Sequence, residues 1–336
     1  MTKRCNLNIS VVGDPWWELQ LGLPKGSSSE EKQAALNKFF PGLITFRNET
    51  LPHNVPDPNK GFTMLKALGL DFTIGETGVP AFTQLSPEQV MKLSVPDYAG
   101  NPAVESLRKA IRETKSRYGS AVNTSFSGLL YQAMKVRGQD IFTDFYENPE
   151  MVHHLMTVLG ETLYQHLKFL KDECGELPYF VLGSCSNCMI SPATYDEFLR
   201  PHEARISTLS QYIMGHPRAM GMHHCGTKAD AYFPVYSKIP ELEMIEASLD
   251  TDIEMGLREM PGLLFKPMLD PIRLDHMTDD AVTSQFGSLL EHPSVVEIQA
   301  FDLTQFCTAD RVRRMLSMTL EYNRSHGLPG YTRFFT

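Results

Sequence analysis

Along this chain, short runs of β-branched and aromatic residues alternate with longer stretches whose apolar positions recur every three to four residues. The short runs predict eight strands: 43-LITFRNE, 70-LDFTIGE, 121-AVNTSFSG, 179-YFVLGSCS, 219-AMGMHHCG, 243-EMIEASLD, 263-LLFKPMLD and 295-VVEIQAFDL. Helices are predicted for 103-AVESLRKAIRETKSRYG, 149-PEMVHHLMTVLGETLYQHLKFLKDECG and 192-PATYDEFLRPHEARISTLSQYIM. The second carries Val152, Leu155, Met156, Leu159, Leu163, Leu167 and Leu170 on one stripe, with Pro149 suited to its first turn. The third opens after Ser191, a good N-cap. Eight strands alternating with helices over this length predict an α/β fold, a (β/α)8 TIM barrel. No G-x-G-x-x-G follows an early strand, which disfavours a doubly wound dinucleotide fold. Residues 1–42 precede the first predicted strand and are expected to form a helical cap or lid, with the barrel over 43–336 and no linker inside it.

Composition changes the picture in two ways. The net charge of -9 argues against nucleic acid or an anionic membrane as partner. No apolar run approaches the ~20 residues of a membrane span, and the start of the chain lacks a secretory apolar core. A cytoplasmic protein is expected. Six cysteines, at 5, 174, 185, 188, 225 and 307, are too sparse for a disulfide framework in 336 residues.

In a barrel the chemistry sits at the C-terminal strand ends, and polar residues gather there. Asn123 lies in the third strand signal, and Cys185 and Asn187 follow the fourth. His223, His224 and Cys225 end the fifth, and Glu246 the sixth. Lys266 and Asp270 mark the seventh, while Asp302 and Cys307 follow the eighth. Alternate residues of a strand share a face, so His223 and Cys225 point together and His224 away from them. Imidazole and thiolate suit zinc, with bonds of about 2.0–2.3 Å. Cys307, Cys185 or Glu246 can supply a third ligand. The plain alternative is a buried cysteine beside a hydrogen-bonded histidine. Cys185-Ser-Asn-Cys188 is a lone C-x-x-C and reads as pocket wall. Trp16-Trp17 reads as core packing, and Asp279-Asp280 as helix N-terminal charge.

At this point the ordered series of motifs resembles the uroporphyrinogen decarboxylase superfamily, in its cobalamin-dependent methyltransferase branch. The segments 125-SFSGLLYQAMKVRGQDIFTDFYENPEMVHHLM, 190-ISPATYDEFLRPHEARI, 223-HHCG, 269-LDP and 309-ADRVRRMLSMTLEYNRSHG carry the resemblance over roughly residues 120–327. The decarboxylase branch is disfavoured. Its arginine-rich segment for a polyanionic porphyrinogen has only Arg47 as counterpart here. The resemblance implies zinc held by His223, Cys225 and a later cysteine, for which Cys307 is the candidate. It also implies a separate corrinoid protein as partner, since the chain holds no D-x-H-x-x-G cobalamin motif. Cys307 stands several residues beyond the family's position for a thiol-activating cysteine, so demethylation of a donor such as an aryl methyl ether onto cob(I)alamin is the favoured reading. Transfer from methyl-corrinoid to a thiol is the alternative, and a non-catalytic ligand-binding barrel the alternative of another class. In the favoured reading His223, His224, Glu246 and Lys266 serve catalysis, as first-contact, acid or donor groups. Asn123, Cys185, Asn187, Asp270 and Asp302 contact the small methyl donor, and zinc takes His223, Cys225 and Cys307.

Overall fold

The computed structural model describes residues 5–44, 55–74, 80–121, 125–175, 180–214, 220–226, 229–328 and 330–334. Its strands are β1 (Asn6–Val11), β2 (Phe72–Ile74), β3 (Pro80–Phe82), β4 (Ser125–Ser127), β5 (Phe180–Gly183), β6 (Met220–His224), β7 (Leu242–Ser248), β8 (Leu264–Met268), β9 (Glu297–Leu303) and β10 (Thr332–Phe334). The chain divides into two compact units. One comprises residues 1–50, 245–253 and 262–336; the other comprises 51–244 and 254–261. No helix among the described residues is long and apolar enough to cross a membrane.

In the first unit the strand order is β10-β1-β9-β8, all parallel. Here the expectation of a purely helical N-terminal segment fails. The stretch 6-NLNISV alternates polar and apolar residues, which places Leu7 and Ile9, both fully buried, on one face. β1 pairs with β9 on one side and β10 on the other. Asparagine's weak strand preference hides this strand in the sequence, and its two partners, about 290 and 325 positions away, reveal it. The helices Gly13–Leu21 and Ser29–Phe39 follow. Trp16 and Trp17 are core residues as expected, edge-on to each other and tilted against Phe334.

In the second unit β4, β5 and β6 pair in parallel, and β2 with β3 forms an antiparallel hairpin. The predicted strand at 43–49 falls almost wholly outside the described residues. The long helix forms as predicted, Pro149–Cys174, with its whole leucine stripe buried. The helix predicted from Pro192 breaks at Leu199 into Pro192–Phe198 and Arg200–Met214. Pro201 explains the break, because it has no amide hydrogen to continue the ladder and fits only a first turn.

Two buried charged groups shape this unit. Arg137 and Asp144 form a two-pronged pair, with Nε donating to Oδ2 at 2.7 Å and Nη2 to Oδ1 at 3.3 Å. Arg137 also donates to the carbonyl of Leu85 at 2.5 Å, tying the segment before Ser86 to the helix Leu129–Arg137. Glu203 is fully buried and accepts from the Tyr195 hydroxyl at 2.5 Å. Burial pushes its carboxyl up to about 7, against the opposing effect of that hydrogen bond.

Removing one member of a buried pair strands the other. Asp144→Ala is expected to cost about 3–5 kcal/mol, read as a lowered unfolding midpoint, with Arg137→Met/Asp144→Leu recovering most of it. Glu203 predicts a pH effect. Its folded pKa lies above the unfolded value, so its contribution is whole below about pH 4.5 and lost as pH rises to about 7. Thermal melts should show Glu203→Gln close to wild type at low pH and more stable by up to about 3 kcal/mol above pH 7.

Candidate metal centre and its surroundings

Parallel pairing of β5 with β6 sets Gly183 opposite His223. Two residues further along each chain stand Cys185 and Cys225, on the same side as that pair. Neighbouring strands lie about 4.8 Å apart, so this register sets His223 beside the end of β5, and the turn that follows Gly183 brings Cys185 to it. The ladder continues past the strands, with Ser184 N donating to His223 O at 2.9 Å. The chain after β5 then turns through the 3-10 segment Cys185–Met189. The ligand atoms of Cys185, His223 and Cys225 all lie within 4.8 Å of one another. His223 is half-buried, and both cysteines are exposed.

The two thiols share a proton unequally. The hydrogen bond from Cys225 lowers Cys185 to about 7, although burial opposes it. The same bond raises Cys225 to about 12, against the opposing pull of His223. Two soft sulfurs and one imidazole nitrogen make a donor set suited to zinc, and the exposed sulfurs leave the centre open on one side. Cys188 flanks it, with Sγ donating to the Cys185 carbonyl at 3.2 Å. A side chain on Gly226 would come within 2.5 Å of that sulfur, so a glycine is needed where the chain leaves β6.

Tyrosines hold the turn behind the ligands. The Tyr232 hydroxyl donates to the carbonyl of Asn187 at 2.7 Å and is bonded also to that of Ile190. The Tyr236 hydroxyl lies 2.7 Å from His224 Nδ1 and accepts from Asn187 Nδ2 at 3.4 Å. His224 and Asn187 are both buried. The His224–Tyr236–Asn187 chain therefore links the end of β6 to the turn that carries Cys185. Neither tyrosine stands out in the sequence, where 229-ADAYFPVY reads as an ordinary aromatic segment.

The expected site residues thus separate. His223 and Cys225 come together as predicted from their spacing. Cys185, expected as a substrate contact and also weighed with Cys307 and Glu246 as a third ligand, is the one that lies beside them. Cys307 is buried in the first unit, its carbonyl accepting from Trp16 Nε1 at 2.8 Å and its thiol pushed up by burial to about 12. His224 and Asn187 point into the tyrosine network. Asp270 caps the helix Pro271–His276, its carboxylate accepting from the amides of Ile272 and Arg273. Asp302 is exposed and left-handed, with φ 56°, at an irregular register of β9. Asn123 lies outside the described residues.

Glu246 and Lys266 meet in the first unit, in a cluster that also holds Glu297 and Gln299. Lys266 Nζ stands 3.7 Å from Glu246 and 3.4 Å from Glu297. Gln299 Nε2 donates to both carboxylates, at 2.9 and 3.1 Å. All four are buried. The strand pattern of 295-VVEIQAFDL held the signal, since Glu297 and Gln299 share one face at a spacing of two.

Comparison with known proteins agrees with this architecture. A methyltransferase from Methanosarcina mazei shares the fold at a TM-score of 0.63, with 12% identity over 96% of this chain and 95% of that one. A putative vitamin-B12 independent methionine synthase from Listeria monocytogenes superposes at a TM-score of 0.46, with 11% identity over 96% of each chain. No curated protein matches the sequence. The family model of Uroporphyrinogen decarboxylase (URO-D) matches residues 59–288, a span that contains β4, β5, β6 and all three ligand residues. With about two thirds of its length matched, the chain belongs to the uroporphyrinogen decarboxylase family.

Proposed function

We propose that this chain is a zinc-dependent methyltransferase that moves a methyl group from a methyl-corrinoid, carried by a partner protein, to a small thiol. The observation that supports this reading is the Cys185–His223–Cys225 group, gathered within 4.8 Å and open to solvent through both sulfurs. The displaced position of Cys307 in the sequence favours ether demethylation. The nearness of Cys185 to His223 and Cys225 supports it as the second sulfur and weakens that objection. The donor set also favours a thiol substrate. Two thiolate ligands give a zinc ion much of its neutralising charge, which suits holding a nucleophile more than polarising an ether oxygen.

When bound there, zinc would lower the pKa of a substrate thiol and present its sulfur on the exposed side. The chain's own residues prepare the centre. Cys185 already sits near neutrality, so it gives up its proton easily at physiological pH. His223 is oriented by strand β6, and the tyrosine network holds Cys185 at fixed reach from it. In the transfer, the substrate sulfur forms a bond to the methyl carbon while the cobalt–carbon bond breaks. The electron pair of that bond stays on cobalt, giving cob(I)alamin, and the thiol proton passes to solvent.

Purified protein is expected to carry about one zinc ion per chain, with Cys185→Ser, His223→Ala and Cys225→Ser each losing most of it by elemental analysis. Tyr236→Phe, which touches no ligand, should weaken zinc binding about tenfold while leaving the fold intact. Anaerobic optical assays should show thiol-dependent loss of methylcobalamin. Methylcobalamin formed from cob(I)alamin and methoxyarenes, with no thiol-dependent loss, would instead establish the demethylating reaction. Retained zinc with turnover in neither direction would overturn both and leave a binding protein.

A further inference from the structure

Gln132 lies on the first turn of the helix Leu129–Arg137 and is buried, with Nε2 donating to the Ser127 carbonyl at 2.8 Å. That bond decides which end of the amide is which and leaves Oε1 as an acceptor. Oε1 is buried and meets no hydrogen-bond partner among the described residues. Such an orphan is costly and calls for a physical reason. Gln132 also lines a cavity of about 120 Å³ in the second unit, with Asp57, Phe62, Met64, Phe126 and His166. An engineered apolar cavity of about 150 Å³ accepts benzene, so this space takes a molecule of similar size.

The walls state what kind of molecule. Asp57 brings a carboxylate, anchored through Oδ1 by the Asn59 amide at 2.7 Å and the Thr63 hydroxyl at 2.8 Å. His166 adds no positive charge. Its Nδ1 is bonded to the Tyr98 hydroxyl, and burial holds the ring neutral, with its pKa down to about 3. Phe126 stands edge-on to His166 at 5.5 Å, and Lys135 is engaged over the Phe62 and Tyr131 rings. The lining therefore combines two oxygen acceptors, one of them anionic, with an apolar aromatic wall.

We infer that this cavity is a binding site for a small amphipathic amine. Its N–H groups face Gln132 Oε1 and the Asp57 carboxylate, and its hydrocarbon body lies against Phe62, Met64 and Phe126. None of the three metal-centre ligands lines this cavity, so its occupancy is separable from zinc content.

The test uses benzylamine as probe in calorimetric titration of the full chain, with toluene and benzoate as controls. Saturable binding of benzylamine is expected, with toluene much weaker and benzoate excluded by Asp57. Asp57→Asn keeps the oxygen that holds Asn59 and Thr63 but removes the charge, and should weaken benzylamine at least about tenfold. Gln132→Leu should do the same, and if that variant fails to fold, Asp57→Asn decides alone. Binding in Cys225→Ser should equal wild type, which separates this cavity from amine capture at the metal centre. No benzylamine binding, undiminished binding in Asp57→Asn, or benzoate binding as tightly as benzylamine would overturn the assignment.

Discussion

The candidate centre depends on the parallel register between β5 and β6. Gly183 faces His223, so the turn that leaves β5 starts beside the end of β6 and carries Cys185 close to His223 and Cys225. A slip of one residue would turn His223 to the opposite face and put His224 in its place. Nothing about the three ligand residues taken singly secures their meeting. The pairing of backbone amides and carbonyls does so, and the apolar faces of the strands keep that pairing in place. Met220 and Met222 on β6, and Phe180 and Leu182 on β5, are buried and would have to be repacked in a slip.

A register leaves the turn after β5 free to move, and here polar chemistry takes over. Tyr232 and Tyr236 tie the carbonyls and the amide of Asn187 and its neighbours to the region beyond β6. Buried hydroxyls must find partners, and these find them on the one segment whose position matters to Cys185. The same network uses His224, whose spacing in HHCG gives it the appearance of a ligand. It faces inward because adjacent strand residues alternate, and its role is to anchor the tyrosine.

The first unit gathers its charged residues differently. Glu246, Lys266, Glu297 and Gln299 come from three strands and satisfy one another at hydrogen-bond or ion-pair distance. Lys266 stands between two buried carboxylates that Gln299 bridges, a concentration of polar chemistry in one buried place that functional clusters share. The structure thus holds two groups of chemically able residues, one a soft set of two thiols and an imidazole, the other hard and charged.

Much of this was legible in the chain itself. The alternation of strands and helices, the buried stripe of Pro149–Cys174, the place of Asp279 and Asp280 in a helix's first turn and the shared face of His223 and Cys225 all follow from local pattern. These features depend on residues within a turn or two of each other, so their spacing determines them. Strand β1 escaped notice because its asparagines argue against a strand while its partners lie at the far end of the chain. The sequence left the third partner of His223 and Cys225 open among Cys307, Cys185 and Glu246 for the same reason. Choosing Cys185 over Cys307 requires knowing which strand lies beside β6, and a cysteine's place in the sequence carries no record of its neighbours. The orphaned oxygen of Gln132 was equally invisible. Local sequence determines what each segment can become, whereas ligand sets, buried charge clusters and cavities are made by segments tens to hundreds of residues apart. Only packing of the whole chain decides which of them meet.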